Sequence, residues 1–162
     1  MLFIDPHEDR WQPLSGEDGP QPGLEATADW LLTLEQWQAR RERWPAGLHT
    51  GVVLPNTADV LALRADLPRL SLVVLEFPKW TDGRAYSQAR LLRSRLAFGG
   101  QVRAVGEVLV DMLPLLQRTG FSSVQLRADQ SIDSARRALR FFAAHYQADV
   151  VQPLAPFKRQ AA

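Results

Sequence analysis

Beyond about residue 50 the apolar residues of this chain alternate between two rhythms. GVVLP, LSLVVLEFP, QVRAVG and SVQLR are short, rich in β-branched residues and bounded by turn formers, as strands are. After each of them the apolar spacing lengthens to three and four, the helical period. Val60, Leu63 and Leu67 follow the first; Ala85, Ala89, Leu92 and Leu96 the second; Val108, Met112, Leu115 and Leu116 the third; Ile132, Ala135, Leu139, Phe142 and Tyr146 the fourth. Strand then helix, four times over, implies a parallel sheet with right-handed crossovers. Gly120 stands where a glycine would end the third helix.

The strands are not apolar throughout, as a doubly wound sheet covered on both faces would require. Taking every second residue, one face carries Val74 and Glu76, then Arg103 and Val105, then Gln125 and Arg127. Charges repeated on successive strands fit a sheet that curls and opens its strand ends into a pocket. The expectation is therefore an α/β fold of four βα units in a curled, half-barrel-like parallel sheet, with an open flavodoxin-like sheet as the alternative.

Residues 1–32 have neither rhythm and read as an N-terminal arm. Proline, glycine and acidic residues crowd WQPLSGEDGPQPG, so a loop is expected there. Residues 33–162 form the single α/β domain. It opens on Thr33-Leu-Glu-Gln, a capping box that starts a helix. Trp11, Trp30, Trp37 and Trp44 make the arm and first helix tryptophan-rich. Residues 1–47 hold nine acidic and four basic side chains (−5) and the rest nine and fifteen (+6), which sum to the net +1, so the two parts attract. A four-unit sheet with open edges and a bare concave face also predicts a homodimer.

Composition removes several chemistries. With no cysteine there is no disulfide, thiolate nucleophile or cysteine-ligated cluster. His7, His49 and His145 lack metal-ligand spacing, so no metal is expected. QVRAVGEV has one glycine where a dinucleotide fingerprint needs more, and there is no phosphate-binding Walker loop. The basic residues are not interleaved with aromatics, which argues against nucleic acid. The absence of a leader or long apolar run predicts a cytoplasmic protein without a membrane anchor.

The densest candidate chemistry is FPKWTDGR, directly after the second strand. In parallel α/β folds ligands gather outside the carboxyl ends of the strands. Asp82 and Gly83 would make the turn, with Gly83 taking positive φ, and the next helix would point its free amides into the same space. Lys79, one of only two lysines, and Arg84 would add positive charge and favour an anion. The alternative is that Asp82 simply caps the helix and pairs with Arg84. Candidate anion- or partner-binding residues are thus Lys79, Thr81, Asp82, Gly83 and Arg84, with Glu76, Arg103 and Arg127 at the pocket floor. No catalytic residue can be assigned.

The run LVVLEFPKWTDGRAYSQARLLRSRLAFGGQVRAVGEVLVDMLPLLQRTGFSSVQLRAD resembles the core of the bacterial family catalogued as domain of unknown function 934, over about residues 33–147. The resemblance covers Thr81, Asp82, Gly83, Arg84, Tyr86, Ser87, Arg90, Arg93, Arg103, Gly106, Asp111, Gly120 and Phe121. Many relatives have cysteine where this chain has Thr119 and glutamine where it has Met112. Family members are encoded beside the sulfite reductase haemoprotein and are commonly labelled oxidoreductases of sulfite reduction. The resemblance thus implies an accessory or adaptor protein that supports that haemoprotein or its electron donor. A small anion-binding enzyme, acting on a sulfur oxyanion or a phosphorylated metabolite, is the alternative. No cofactor follows from the sequence.

Overall fold

The computed structural model describes residues 1–14, 26–141 and 147–154. Its strands are β1 (Leu2–Phe3), β2 (Gln12–Pro13), β3 (Trp30–Thr33), β4 (Thr50–Leu54), β5 (Leu72–Phe77), β6 (Gln101–Gly106) and β7 (Ser123–Val124). Its α-helices are α1 (Leu34–Arg40), α2 (Arg84–Ser94), α3 (Leu113–Thr119) and α4 (Ile132–Phe141). All seven strands are parallel, in the order β1-β7-β6-β5-β4-β3-β2.

From β3 to β7 spatial order follows chain order. A sheet wound in one direction by right-handed crossovers carries its helices on one face only, whereas a flavodoxin-like sheet reverses and carries them on both. The fold is the curled, half-barrel α/β arrangement. On the helix side Leu32, Val52, Leu54, Val73, Leu75, Phe77, Val102, Ala104 and Val124 form the core with Trp37, Ala85, Ala89, Leu92, Leu113 and Leu116. Opposite it, the register aligns Leu31, Gly51, Leu72 and Gln101 in one row, and Val53, Val74, Arg103 and Ser123 in the next.

The arm does more than a loop would. It supplies β1 at one edge of the sheet and β2 at the other, so residues 4–11 cross the helix-free face. Trp11 lies buried there on Leu72 and Val74, flanked by Leu31, Val53 and Val105. The crossing also measures the curl. Six strand spacings amount to roughly 29 Å along the sheet, and the nine residue steps from Phe3 to Gln12 reach roughly 30 Å only when fully extended. The segment folds into a turn at Asp5–Glu8, where the Glu8 amide donates to the Asp5 carbonyl at 3.1 Å, so it must follow a chord shorter than the arc. The chain itself thus covers the concave face on which the homodimer was expected.

Thr33 caps α1 in the expected capping box, with Gln36 reaching back to the Thr33 amide at 2.9 Å. Gly120 ends α3 in the left-handed region at φ 108°. Other helical segments differ from expectation. The first crossover is no α-helix but two 3₁₀ turns, Val60–Leu63 and Leu67–Arg69: the Asp59 side chain caps one, and Pro68 at the start of the other withholds an amide. The third begins as a 3₁₀ turn, Val110–Met112, and Pro114 opens a short α3 that leaves Leu115 46% exposed. In the fourth, Ala135 is buried but Ile132 is exposed, and Phe142, Tyr146 and His145 lie outside the described residues. SVQLR is a strand only over Ser123–Val124. Among the described residues no helix is long and apolar enough to cross a membrane.

Candidate functional site

At its carboxyl end β5 delivers Phe77 into an aromatic cluster, 5.1 Å from Tyr86 and 5.9 Å from Phe121 between ring centres. That cluster fixes the start of α2 beneath the loop Pro78–Gly83. The loop closes on a hydrogen bond from the Asp82 amide to the Lys79 carbonyl at 3.0 Å. One Asp82 oxygen then accepts from the Arg84 amide and Nε, at 3.2 and 3.0 Å. The other accepts from Arg84 Nη2 at 2.6 Å and from Asn56 Nδ2 at 2.7 Å. Gln88 Nε2 donates to the carbonyls of Pro55 and Ala58 at 3.1 and 2.8 Å and so ties the exit of β4 to α2.

The Arg84 guanidinium, its backbone amide and Asn56 hold the Asp82 carboxyl far below the ordinary range, and Asp82 in turn raises Arg84. Asp82 thus receives the first amide of α2 and pairs with Arg84, while Gly83 stands at the N-cap position. Gly83 departs from expectation. Its φ is −82°, and a Cβ added there would meet nothing nearer than Tyr86 Cδ2 at 3.8 Å, so the turn does not require glycine.

A second cluster stands at the ends of β6 and β7. Arg127 donates through Nη1 to Glu107 Oε2 at 2.7 Å, and through Nε and Nη2 to the two oxygens of Asp129, each at 2.7 Å. Hydrogen bonding to Arg127 pulls the Asp129 carboxyl down to about 2, and the two carboxylates raise Arg127. Gln130 accepts from the Val110 amide at 3.0 Å and anchors the turn.

Glu76 and Arg103 share the helix-free face, but the register places Glu76 beside Val105 and Arg103 beside Val74, one pleat further from the strand ends. Arg103 is 3% exposed and pairs with Asp9 of the crossing segment, not with Glu76. Lys79 and Thr81 are exposed in the loop. Lys79 and Glu76 have no ion-pair partner among the described residues. Across the rim, Glu76, Asp82, Glu107 and Asp129 outnumber Lys79, Arg84 and Arg127 by four to three, a balance of −1.

Three residues that sequence reasoning passed over complete the picture. Asn56 and Glu107 each sit one or two positions past a strand, the same signal that singled out Lys79. Trp80, the one tryptophan beyond residue 44, is 57% exposed. Several motif residues are structural instead. Arg93 donates to the carbonyls of Gly120 and Gly100 at 2.9 and 2.7 Å, and its half-burial lowers its pKa. Tyr86 packs between Phe77 and Phe121, and burial raises its hydroxyl.

These features define a singly wound α/β protein whose strand ends carry a rim of ion pairs around an exposed lysine and tryptophan. The chain belongs to the family described as bacterial protein of unknown function (DUF934), whose profile matches residues 51–157. Asp9 and Trp11, which cover the concave face, lie outside the matched region. No curated protein matches the chain.

Proposed function

We propose that this is an accessory protein of assimilatory sulfite reduction in the cytoplasm, which acts by binding and docks the loop Pro78–Gly83 onto the sulfite reductase haemoprotein or its electron donor. The pathway rests on the family resemblance. The observation that supports docking is Trp80, 57% exposed beside Lys79 on a loop whose other charges are already tied to each other. A large aromatic held in water by a fixed frame is the kind of residue that dominates protein interfaces when it becomes desolvated. An anion here would meet Lys79 as the rim's one uncommitted cation among the described residues, since Arg84 and Arg127 are satisfied by carboxylates and the rim is not positive.

Binding of the purified protein to purified haemoprotein, and separately to its electron donor, tests this reading alongside growth of a deletion strain on sulfate as sole sulfur source. Trp80→Ala should weaken the complex by roughly thirtyfold without lowering the melting temperature. Normal growth of the deletion strain, or a variant that binds both proteins as tightly as the parent does, overturns it.

A further inference from the structure

The surface at β1 is built differently from the rim. Strand β1 is the outermost strand beside β7. Leu2 and Ile4 donate their amides to the Ser122 and Val124 carbonyls, both at 2.9 Å. Phe3, between them, therefore turns its N–H and C=O the other way, towards the open edge, and makes no hydrogen bond there among the described residues. Alongside runs a groove of about 470 Å³ lined by Met1, Leu2, Phe3, Arg136, Leu139 and Arg140. One wall is thus a strand edge that is unpaired among the described residues, with Leu2 57% exposed. The other is α4, with two arginines four residues apart. Arg136 lies 4.0 Å from the Asp133 carboxylate, and Arg140 Nε donates to the Arg136 carbonyl at 3.3 Å.

We propose that this groove binds an extended segment of a partner protein that adds to the sheet beside β1 and carries two acidic residues two positions apart. Strand addition satisfies the Phe3 backbone groups. The acidic spacing follows from matching two repeats. Residues four apart on a helix are separated by about 6 Å along its axis, and residues two apart on a strand by about 6.6 Å on the same side. Acidic side chains at alternate positions of the added strand therefore meet Arg136 and Arg140 together, while the residues between them face away. A second copy of this chain does not supply such a segment, because none of its 18 acidic residues lies two positions from another. The occupant is a different protein.

The test uses the full chain and a labelled peptide, TVEVEVT, with the isomer TVEEVVT as control. Alternate-acid peptide should bind saturably, at least about tenfold tighter than the isomer, and protect the Phe3 amide from hydrogen exchange. The doubly substituted variant Arg136→Glu, Arg140→Glu should lose that preference at an unchanged melting temperature, since both side chains are exposed. Failure of the alternate-acid peptide to bind, equal affinity for the two isomers, or an unaffected double variant overturns the proposal. So does light scattering that shows the chain alone to be a dimer whose Phe3 amide is already protected. None of these outcomes depends on the haemoprotein, so the docking loop stands or falls separately.

Discussion

Replacing Gly106 with alanine should destabilise the fold by about 3–6 kcal/mol, whereas the same change at Gly83 should be close to neutral. Gly106 ends β6 at φ 93°, and a Cβ there would lie 2.5 Å from the Phe77 carbonyl oxygen. That oxygen cannot step aside freely, because it accepts the Glu107 amide at 2.8 Å. Left-handed backbone costs a residue with a side chain about 1–2 kcal/mol, a weakened buried hydrogen bond about 1, and the overlap itself about 1–3. At Gly83 the backbone is right-handed and the space is open. There, lower unfolded-state entropy favours alanine by about 0.4–1 kcal/mol, and its poorer quality at a helix N-cap offsets much of that. Thermal unfolding of the two variants side by side reads the difference. For a chain of this length the Gly106 change should lower the melting temperature by roughly 6 °C or more, and the Gly83 change should move it by about 2 °C at most. A Gly106→Ala variant that melts like the parent would refute the reasoning, as would a Gly83→Ala variant that loses many degrees.

Removing Asp9 leaves Arg103 charged, buried and unpaired, so Asp9→Ala should cost about 3–5 kcal/mol, and chemical denaturation should show the paired change Asp9→Leu, Arg103→Met recovering much of it; a paired variant no better than the single one would argue against burial as the cause. Asp82 has a folded pKa below its ordinary 3.8, so its stabilising contribution is complete above that value and is lost as pH falls through it towards the folded pKa. Melting temperatures from about pH 5 down to about pH 2.5 should therefore fall less steeply in Asp82→Asn than in the parent, and identical slopes would disprove the linkage. Lys79→Ala should leave the melting curve unchanged, since the side chain is exposed, and should weaken the docking complex in a salt-dependent way; loss of stability instead would make the loop a structural element.

Parity was the most legible part of the sequence. Alternation along LSLVVLEF and QVRAVG placed Val74, Glu76, Arg103 and Val105 on one face, because side-chain direction in a strand depends only on counting. What could not be counted was where along the strands those charges sit. The register puts Arg103 one pleat behind Glu76, and its partner Asp9 is 94 residues away, a contact no local pattern encodes. Gly83 misled because a turn sequence does not say which glycine takes positive φ; here that conformation falls on Gly106, where the chain leaves β6 against the Phe77 carbonyl. The 3₁₀ turns at Val60–Leu63 and Leu67–Arg69 have the apolar spacing of a helix, but Pro68 has no amide to donate, so an α-helix started at Asp59 could not run on through it.

The one-sided winding has a consequence for where function can reside. With every crossover on one face, the opposite face of β3–β7 would lie open as an apolar trough. The chain closes it with a short segment held by Trp11 and by the Asp9–Arg103 pair. Trp11 and Arg103 are both buried, so opening the trough would expose the Trp11 ring and strand an unpaired guanidinium at once, each an expensive step. The two proposed contacts accordingly lie on surfaces that need no such opening. The strand-end rim presents Trp80 and Lys79 to solvent as it stands, and the β1 edge offers a backbone unpaired among the described residues beside two arginines.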